Sequence, residues 1–218
     1  MKALGLLWVG TLLPLTATTI SVTLGGNSCA PAGACTSDPR ATTITFDGLT
    51  SATASPYVYS GATYTWSGAT SPFVEGSVDG NYASPPGDST PYITIGSPDR
   101  PASVTIDFST PIRYFGFYMG SPDDYNVISF YGGPNRSLIE SIYGNQLISP
   151  GGGSWDLGAF VNFYISGGTV SQIVMSSDTP AFETDSHAYE EIPEPGTWVL
   201  FGVGLGLAAA ARTRWKRS

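Results

Sequence analysis

The sequence has few charged residues, almost no lysine and a single histidine. Charged residues make up 12% of the 218-residue chain, and no lysine occurs between Lys2 and Lys216. The interval from Asp38 to Glu194 holds all seventeen acidic residues but only four arginines. Because nucleic-acid binding depends on a basic surface, this deficit argues against nucleic acid as a partner.

The shortage of histidine and cysteine also removes several kinds of active site. A Ser-His-Asp triad needs a histidine base, but no Gly-x-Ser-x-Gly motif accompanies His187, the single histidine. We therefore expect His187 to be an ordinary residue at a strand end or on the surface. The two cysteines, Cys29 and Cys35, lie together in NSCAPAGACTSD and provide too few ligands for a zinc site. In an exported chain, such a pair typically closes a small disulfide loop.

The first segment has the pattern of a secretory leader. MKALGLLWVGTLLPLTATT begins with Lys2, continues with an apolar run from Ala3 to Leu15 and ends in small residues. The run is short for a membrane helix and contains Pro14. The sequence therefore predicts a signal peptide over residues 1–19, with cleavage near Ala17 to Thr19 and export by the Sec machinery.

The C-terminus lacks a long apolar run, but it has a short one. Fifteen charge-free residues, Thr197 to Ala211, would span about 22 Å as a helix, against a hydrocarbon core of roughly 30 Å. Trp198 and Trp215 can lie at the two interfaces of the membrane. We expect a short transmembrane helix that retains the chain temporarily, with its cytoplasmic end held by four basic residues: Arg212, Arg214, Lys216 and Arg217.

Between residues 41 and 192, apolar residues alternate with polar ones. TTITFDG places Ile44 and Phe46 on one face, and SVTIDFSTP repeats the arrangement, which indicates half-buried strands. Turns rich in Gly and Pro separate the candidate strands, and one weak strand is expected near residues 73–74. The other candidate strands are 57–59, 63–66, 92–95, 113–119, 127–131, 138–142, 160–165, 173–176 and 188–191. The pattern predicts an all-β ectodomain over residues 41–192, a single antiparallel β-sandwich of jelly-roll type, preceded by a segment over residues 20–40.

The last 26 residues, 193–218, contain three features in a fixed order. Pro193, Glu194 and Pro195 are followed by the glycine-rich apolar run and then by the basic tail. This order resembles the PEP-CTERM sorting signal of Gram-negative bacteria that make extracellular polysaccharide. The resemblance implies that exosortase, a membrane cysteine protease of transpeptidase type, recognises the three residues while the apolar run anchors the precursor in the inner membrane. An ordinary anchor that is never cut is the alternative.

The ectodomain carries a second resemblance. FSTPIRYFGFYMGSPDDYNVISFYGG and AFVNFYISGGTVSQIVMSSDTPAFETDSHAY are similar to segments of a recurring family of exosortase-dependent surface proteins with a compact β domain. That family has no assigned catalytic activity. The resemblance implies a compact β domain and an address at the cell surface or in the biofilm matrix, where we expect a structural or adhesive role and no enzymatic one.

Two loops contain candidates for glycan binding. Sugar rings stack on exposed aromatic faces while neighbouring polar groups bind their hydroxyls, and YMGSPDDYN and PGGGSWDLG offer both kinds of side chain. For Tyr125 and Trp155, packing in the core is an equally open interpretation. The candidate residues for extracellular polysaccharide are Tyr118, Asp123, Asp124, Tyr125, Asn126, Trp155 and Asp156.

The acidic residues leave two further hypotheses open. Asp123 and Asp124 could cap a turn or bind Ca²⁺, the one cofactor that the sequence suggests, although no complete EF-hand loop is present. A glycan hydrolase with paired carboxylates is the alternative function, since several acids could converge in space: Asp123, Asp124, Asp156, Glu183 and Asp185.

Overall fold

The computed structural model describes residues 17–29, 33–147 and 159–192. Several predicted features lie outside these ranges: most of the leader, Trp155, Asp156, the triplet Pro193-Glu194-Pro195, and the basic tail with Arg212, Arg214, Lys216 and Arg217. Within the described ranges, no helix is long and apolar enough to cross a bilayer.

The described residues form an antiparallel all-β fold, which confirms the predicted fold class. Twelve strands make one sheet that is folded on itself, and β2 and β3 form a separate hairpin. The strands of the described residues are β1 (Thr19–Leu24), β2 (Asn27–Ser28), β3 (Ala34–Cys35), β4 (Thr42–Ile44), β5 (Tyr57–Tyr59), β6 (Ala62–Trp66), β7 (Phe73–Val74), β8 (Tyr92–Ile95), β9 (Ser103–Met119), β10 (Asn126–Gly132), β11 (Ser137–Tyr143), β12 (Ala159–Ser166), β13 (Val170–Ser177) and β14 (Phe182–Glu191). A short 3-10 helix spans Gly144–Gln146.

Strand β9 joins the two layers of the fold. Its residues 103–108 pair with β6 and β13, whereas its residues 112–119 pair with β12 and β14. Pro111, which has no N–H for the ladder, lies between the two parts. The rings of Phe108 and Phe115 are 6.3 Å apart across this bend, so the two parts of the strand face each other.

The core lies between the two layers. One layer contains β5, β6, β10, β11 and β13, and the other contains β1, β4, β7, β8, β12 and β14. Phe130 of β10 lies 5.1 Å from Phe163 of β12, and Tyr64 of β6 lies 5.7 Å from His187 of β14, measured between ring centroids. These aromatic contacts across the layers, together with alternating aliphatic residues, hold the sandwich closed.

The outer face of the second layer has a cover of its own. The β2–β3 hairpin lies over Tyr118 and Phe160, and Ala34 packs against this small cluster. A disulfide between Cys29 and Cys35 closes the hairpin. Strand β1 pairs with β12 along its whole length, so residues 19–24 of the N-terminal segment are part of the main sheet. Because the β2–β3 hairpin covers its outer face and the core covers its inner face, β14 buries polar side chains.

Candidate functional site

A cavity of about 270 Å³ opens beside β7. Its lining combines apolar side chains with hydroxyl, carboxylate and guanidinium groups: Leu49, Thr50, Ser51, Val74, Glu75, Tyr82, Pro91 and Arg100. Strand β7, the loop between β4 and β5, and the loops before and after β8 bring these residues together. The arrangement can hold a small polar ligand that also has an apolar face.

Arg100 is held rigidly in this cavity. Its Nη1 donates a hydrogen bond to the carbonyl oxygen of Ser71 at 2.8 Å, and its guanidinium carbon lies 5.8 Å from the centroid of the Tyr82 ring. Its Nε is buried and has no hydrogen-bond partner among the described residues. The contact between the cation and the ring fixes the orientation of the guanidinium group.

The charge of Arg100 is not paired. Within the described part of the chain, Arg100 has no carboxylate partner, whereas the other three arginines there each form an ion pair: Arg40 with Asp38 and Glu190, Arg113 with Glu190, and Arg136 with Asp107. In a domain with such an excess of acidic residues, an unpaired arginine in a cavity is a candidate for binding an anion.

The structure separates the residues that were predicted to bind glycan. Tyr118 is buried, and its hydroxyl donates to the carbonyl oxygen of Pro86. Asn126 is also buried, where its Nδ2 donates to the carbonyl oxygen of Ser121 at 3.0 Å and its Oδ1 accepts from Ser177 Oγ at 2.9 Å. Both side chains therefore support loops and do not reach the surface as a binding residue would.

The remaining described candidates lie on a turn before β10. Asp124 is exposed, and Asp123 is half-buried and accepts a hydrogen bond from Ser121 Oγ at 2.7 Å. Tyr125 is also half-buried, and its hydroxyl donates to the carbonyl oxygen of Pro180 at 3.2 Å. Burial, and after it the hydrogen-bonding interaction of the neutral Tyr125 hydroxyl with the Asp123 carboxylate as acceptor, raises the pKa of Tyr125 to about 12. Within the described ranges, no group of three acidic, histidine or cysteine side chains is placed to hold a metal ion.

His187 was predicted at a strand end or on the surface, but it lies fully buried within β14. Its Nδ1 is 3.1 Å from the hydroxyl of Tyr64 and its Nε2 is 2.9 Å from Thr184 Oγ1. Burial lowers the pKa of His187 to about 3, so the ring is neutral. The prediction was wrong because a kink at residues 185–188, where Ser186 has a φ of 50°, turns His187 into the core.

Two acidic residues of β14 lie beneath the surface. Glu183 accepts hydrogen bonds from the backbone N–H of Ala83 at 3.0 Å and from Ser121 Oγ at 3.3 Å, and burial raises its pKa. Asp185 accepts a hydrogen bond from Ser186 Oγ at 3.1 Å, and burial together with the charge of Asp88 raises the pKa of Asp185 to about 8. The Glu183 carboxyl group ties the loop before β8 to the sheet.

The cavity was missed in the sequence because its parts come from weakly patterned segments. Leu49, Tyr82 and Arg100 are far apart along the chain, and Tyr82 lies in a loop without clear alternation. The scarcity of arginine in the ectodomain was the one available signal, but pairing with carboxylates can be seen only in the folded chain.

Comparison with known proteins identifies a sorting motif in the C-terminal part of the chain. Residues 191–217 match the model of the PEP-CTERM protein-sorting motif. No curated protein and no solved structure matches the chain. The motif begins at Glu191, which is also the last residue of β14, so the sorting signal follows the folded domain directly.

Proposed function

Since the PEP-CTERM motif marks this chain as an exported protein that exosortase sorts to the cell surface, we propose that its ectodomain is a non-enzymatic, adhesive module that binds acidic polysaccharide. The observation that carries the proposal is the unpaired guanidinium group of Arg100, held against Tyr82 in the cavity. A surface protein with such a site can attach to the extracellular matrix.

The chemistry of the cavity suits a sugar acid. The planar guanidinium group binds carboxylates through two parallel hydrogen bonds. Tyr82 offers an aromatic ring, and Thr50 and Ser51 offer hydroxyl groups to the same space. The excess of acidic residues elsewhere repels polyanions, so binding would depend on this cavity and not on general attraction.

The size of the cavity limits the ligand. About 270 Å³ is just below the range of roughly 300–1,000 Å³ that is typical of sites for drug-sized ligands. A single sugar unit or a chain end is therefore a better match than a long segment of polysaccharide.

The described carboxylates support binding better than hydrolysis. Asp88 and Asp185 are both buried, whereas the two carboxyl groups of a glycosidase must flank the glycosidic bond of a bound substrate. Among the described lining residues, Glu75 is the one carboxylate in the cavity, so a second acid for catalysis is missing there.

Binding of the full chain in detergent to polygalacturonate and to dextran tests the proposal. We expect polygalacturonate to bind and neutral dextran not to bind. Arg100→Met should weaken polygalacturonate binding about tenfold or more, since a charge-assisted hydrogen bond contributes about 1.5–3 kcal/mol. Released reducing ends, measured in the same samples, should stay at the level of the buffer.

Arg136→Met is the matched control, because Arg136 is exposed and paired with Asp107 outside the cavity. It should bind polygalacturonate as the wild type does. Equal losses in the two variants would show general charge attraction and would overturn the assignment of the cavity. Release of reducing ends would support the hydrolase instead.

A further inference from the structure

The folded domain ends very close to the membrane anchor. Glu191, the last residue of β14, pairs with Ile112, and the N–H of Ile192 donates to the carbonyl oxygen of Pro111 at 3.0 Å. Only residues 193–196 separate Ile192 from the apolar run that begins at Thr197. Even fully extended, these residues and the bonds that flank them cover about 17 Å, so this end of the domain stays near the lipid surface in the anchored precursor.

The N-terminal end of the sheet lies at the same place. Thr19, the first residue of β1, pairs with Ser166, and on the same strand β12 Tyr164 pairs with Tyr114 of β9. The strand order β1-β12-β9-β14 therefore brings the start of β1 and the end of β14 to one end of the layer. Three strand spacings separate them, about 14 Å. We call this the exit end.

The β5–β6 hairpin also lies at the exit end. The carbonyl oxygen of Ser60, in the turn of the hairpin, accepts a hydrogen bond from the Tyr189 hydroxyl, and a Cβ on Gly61 would lie 2.9 Å from Glu191 Oε1. Val58 and Tyr59, just before the turn, are 61% and 45% exposed. An apolar side chain and an amphipathic one thus project next to the point where the chain leaves for the membrane.

We propose that Val58 and Tyr59 of the β5–β6 hairpin contact the lipid surface while the precursor is anchored. Valine gains from leaving water, and tyrosine is enriched at membrane interfaces because its ring is apolar and its hydroxyl is polar. The short connection at residues 193–196 brings the hairpin to the lipid without further cost of association. The contact turns the exit end of the domain toward the lipid.

Fluorescence of the full chain in vesicles of phosphatidylethanolamine and phosphatidylglycerol tests the contact. Val58→Cys carries a nitrobenzoxadiazole label, and the vesicles carry a nitroxide on the lipid headgroup. We expect a blue shift of the emission and strong quenching by the nitroxide. Tyr59→Cys serves as a second reporter if the first variant does not fold, which circular dichroism checks.

Tyr143→Cys is the matched control, because Tyr143 is 47% exposed but lies at the opposite end of its layer. It pairs with Val127, which pairs with Ser176, which in turn pairs with Ser103 at the start of β9. Its label should be quenched little. Equal quenching at the two positions, or no quenching at Val58 in chains that float with the vesicles, would overturn the proposal. Chains that do not float would overturn it too, because the contact requires the anchor.

Discussion

The carboxyl groups of Asp88 and Asp185 are both buried, and the charge of Asp88 acts on Asp185 where the loop before β8 packs against β14. Asp88 Oδ1 accepts hydrogen bonds from Thr90, and Asp185 Oδ2 accepts one from Ser186, but the other oxygen of each carboxyl has no further partner among the described residues. A proton on Asp185 removes the repulsion between the two buried carboxyl groups and so favours the packing of the loop before β8 against β14.

The raised pKa of Asp185 makes the stability of the domain depend on pH. The pKa of Asp185 is about 8 in the folded chain and about 3.9 in an unfolded one, so between these values the folded state holds a proton that the unfolded state has lost, and the free energy of unfolding falls as pH rises. The lowered pKa of His187, about 3, has the opposite effect up to about pH 6.5. Above pH 6.5 the Asp185 effect remains, and we expect a loss of about 1–2 kcal/mol by pH 8.

Urea unfolding at pH 6.5 and pH 8 measures this loss. Asp185→Asn keeps the shape of the side chain but cannot titrate, so its stability should change less over the same interval. Asp124→Asn, at an exposed position, should behave like the wild type. A slope in Asp185→Asn as steep as in the wild type would show that other groups, such as Glu183, cause the pH dependence.

Phe163 should be among the most important residues for stability. Its ring lies within 6.4 Å of the rings of Phe115, Phe117 and Phe130, measured between centroids, and connects the two layers. We expect Phe163→Ala to reduce the free energy of unfolding by about 3–5 kcal/mol, because it leaves a cavity in the core. Leu138→Ala, at a residue that is 55% exposed, should change it by about 0.5 kcal/mol or less.

Replacement of the sorting triplet should stop processing. In a host that contains exosortase, we expect Pro193→Ala combined with Glu194→Ala to leave a full-length chain in the membrane fraction, while the wild type appears as a shorter form at the surface. Electrophoresis of the cell fractions distinguishes the two forms. Glu140→Gln, at an exposed position on β11, should be processed normally; the same shortening in the triplet variant would refute recognition at these residues.

The Cys29–Cys35 bond should stabilise the hairpin more than the whole domain. The ring is short, so its removal should cost about 2 kcal/mol or less. We expect Cys29→Ser combined with Cys35→Ser to remain folded but to exchange the amides of β2 and β3 faster, as hydrogen exchange can measure. A global loss of protection would show that the hairpin is needed for the main sheet to form.

Most strands could be predicted from alternation alone, since it marks residues with one face in the core. Tyr57–Tyr59, Phe73–Val74 and Tyr92–Ile95 have the predicted bounds. The two predicted strands at 103–108 and 113–119 are one strand, because Ser-Thr-Pro forms a bend within β9 and not a turn that ends it. Strand β1 was missed, as pairing with β12 is a long-range contact that the local sequence does not show.

The candidate site was harder to predict because polar residues usually indicate a loop or a surface position, whereas several polar residues of this domain are buried. FETDSH looks like a loop, yet these residues form the start of β14, where Glu183 is hydrogen-bonded to Ser121 and His187 to Tyr64. The same effect placed Asn126 and Tyr118 inside the fold. The sorting signal could be predicted fully, since its order along the chain is what defines it.

The register of β14 shows how far the cavity lies from the end of the domain where the chain continues into the sorting signal. Glu191 pairs with Ile112, while Thr184 pairs with Met119 seven residues farther along β9, a rise of about 23 Å. Thr184 also pairs with Ile93, and Ile93 with Phe73 beside the cavity. The cavity that contains Arg100 therefore lies toward the end of the layer opposite to the end at which Glu191 and Ile192 leave the sheet.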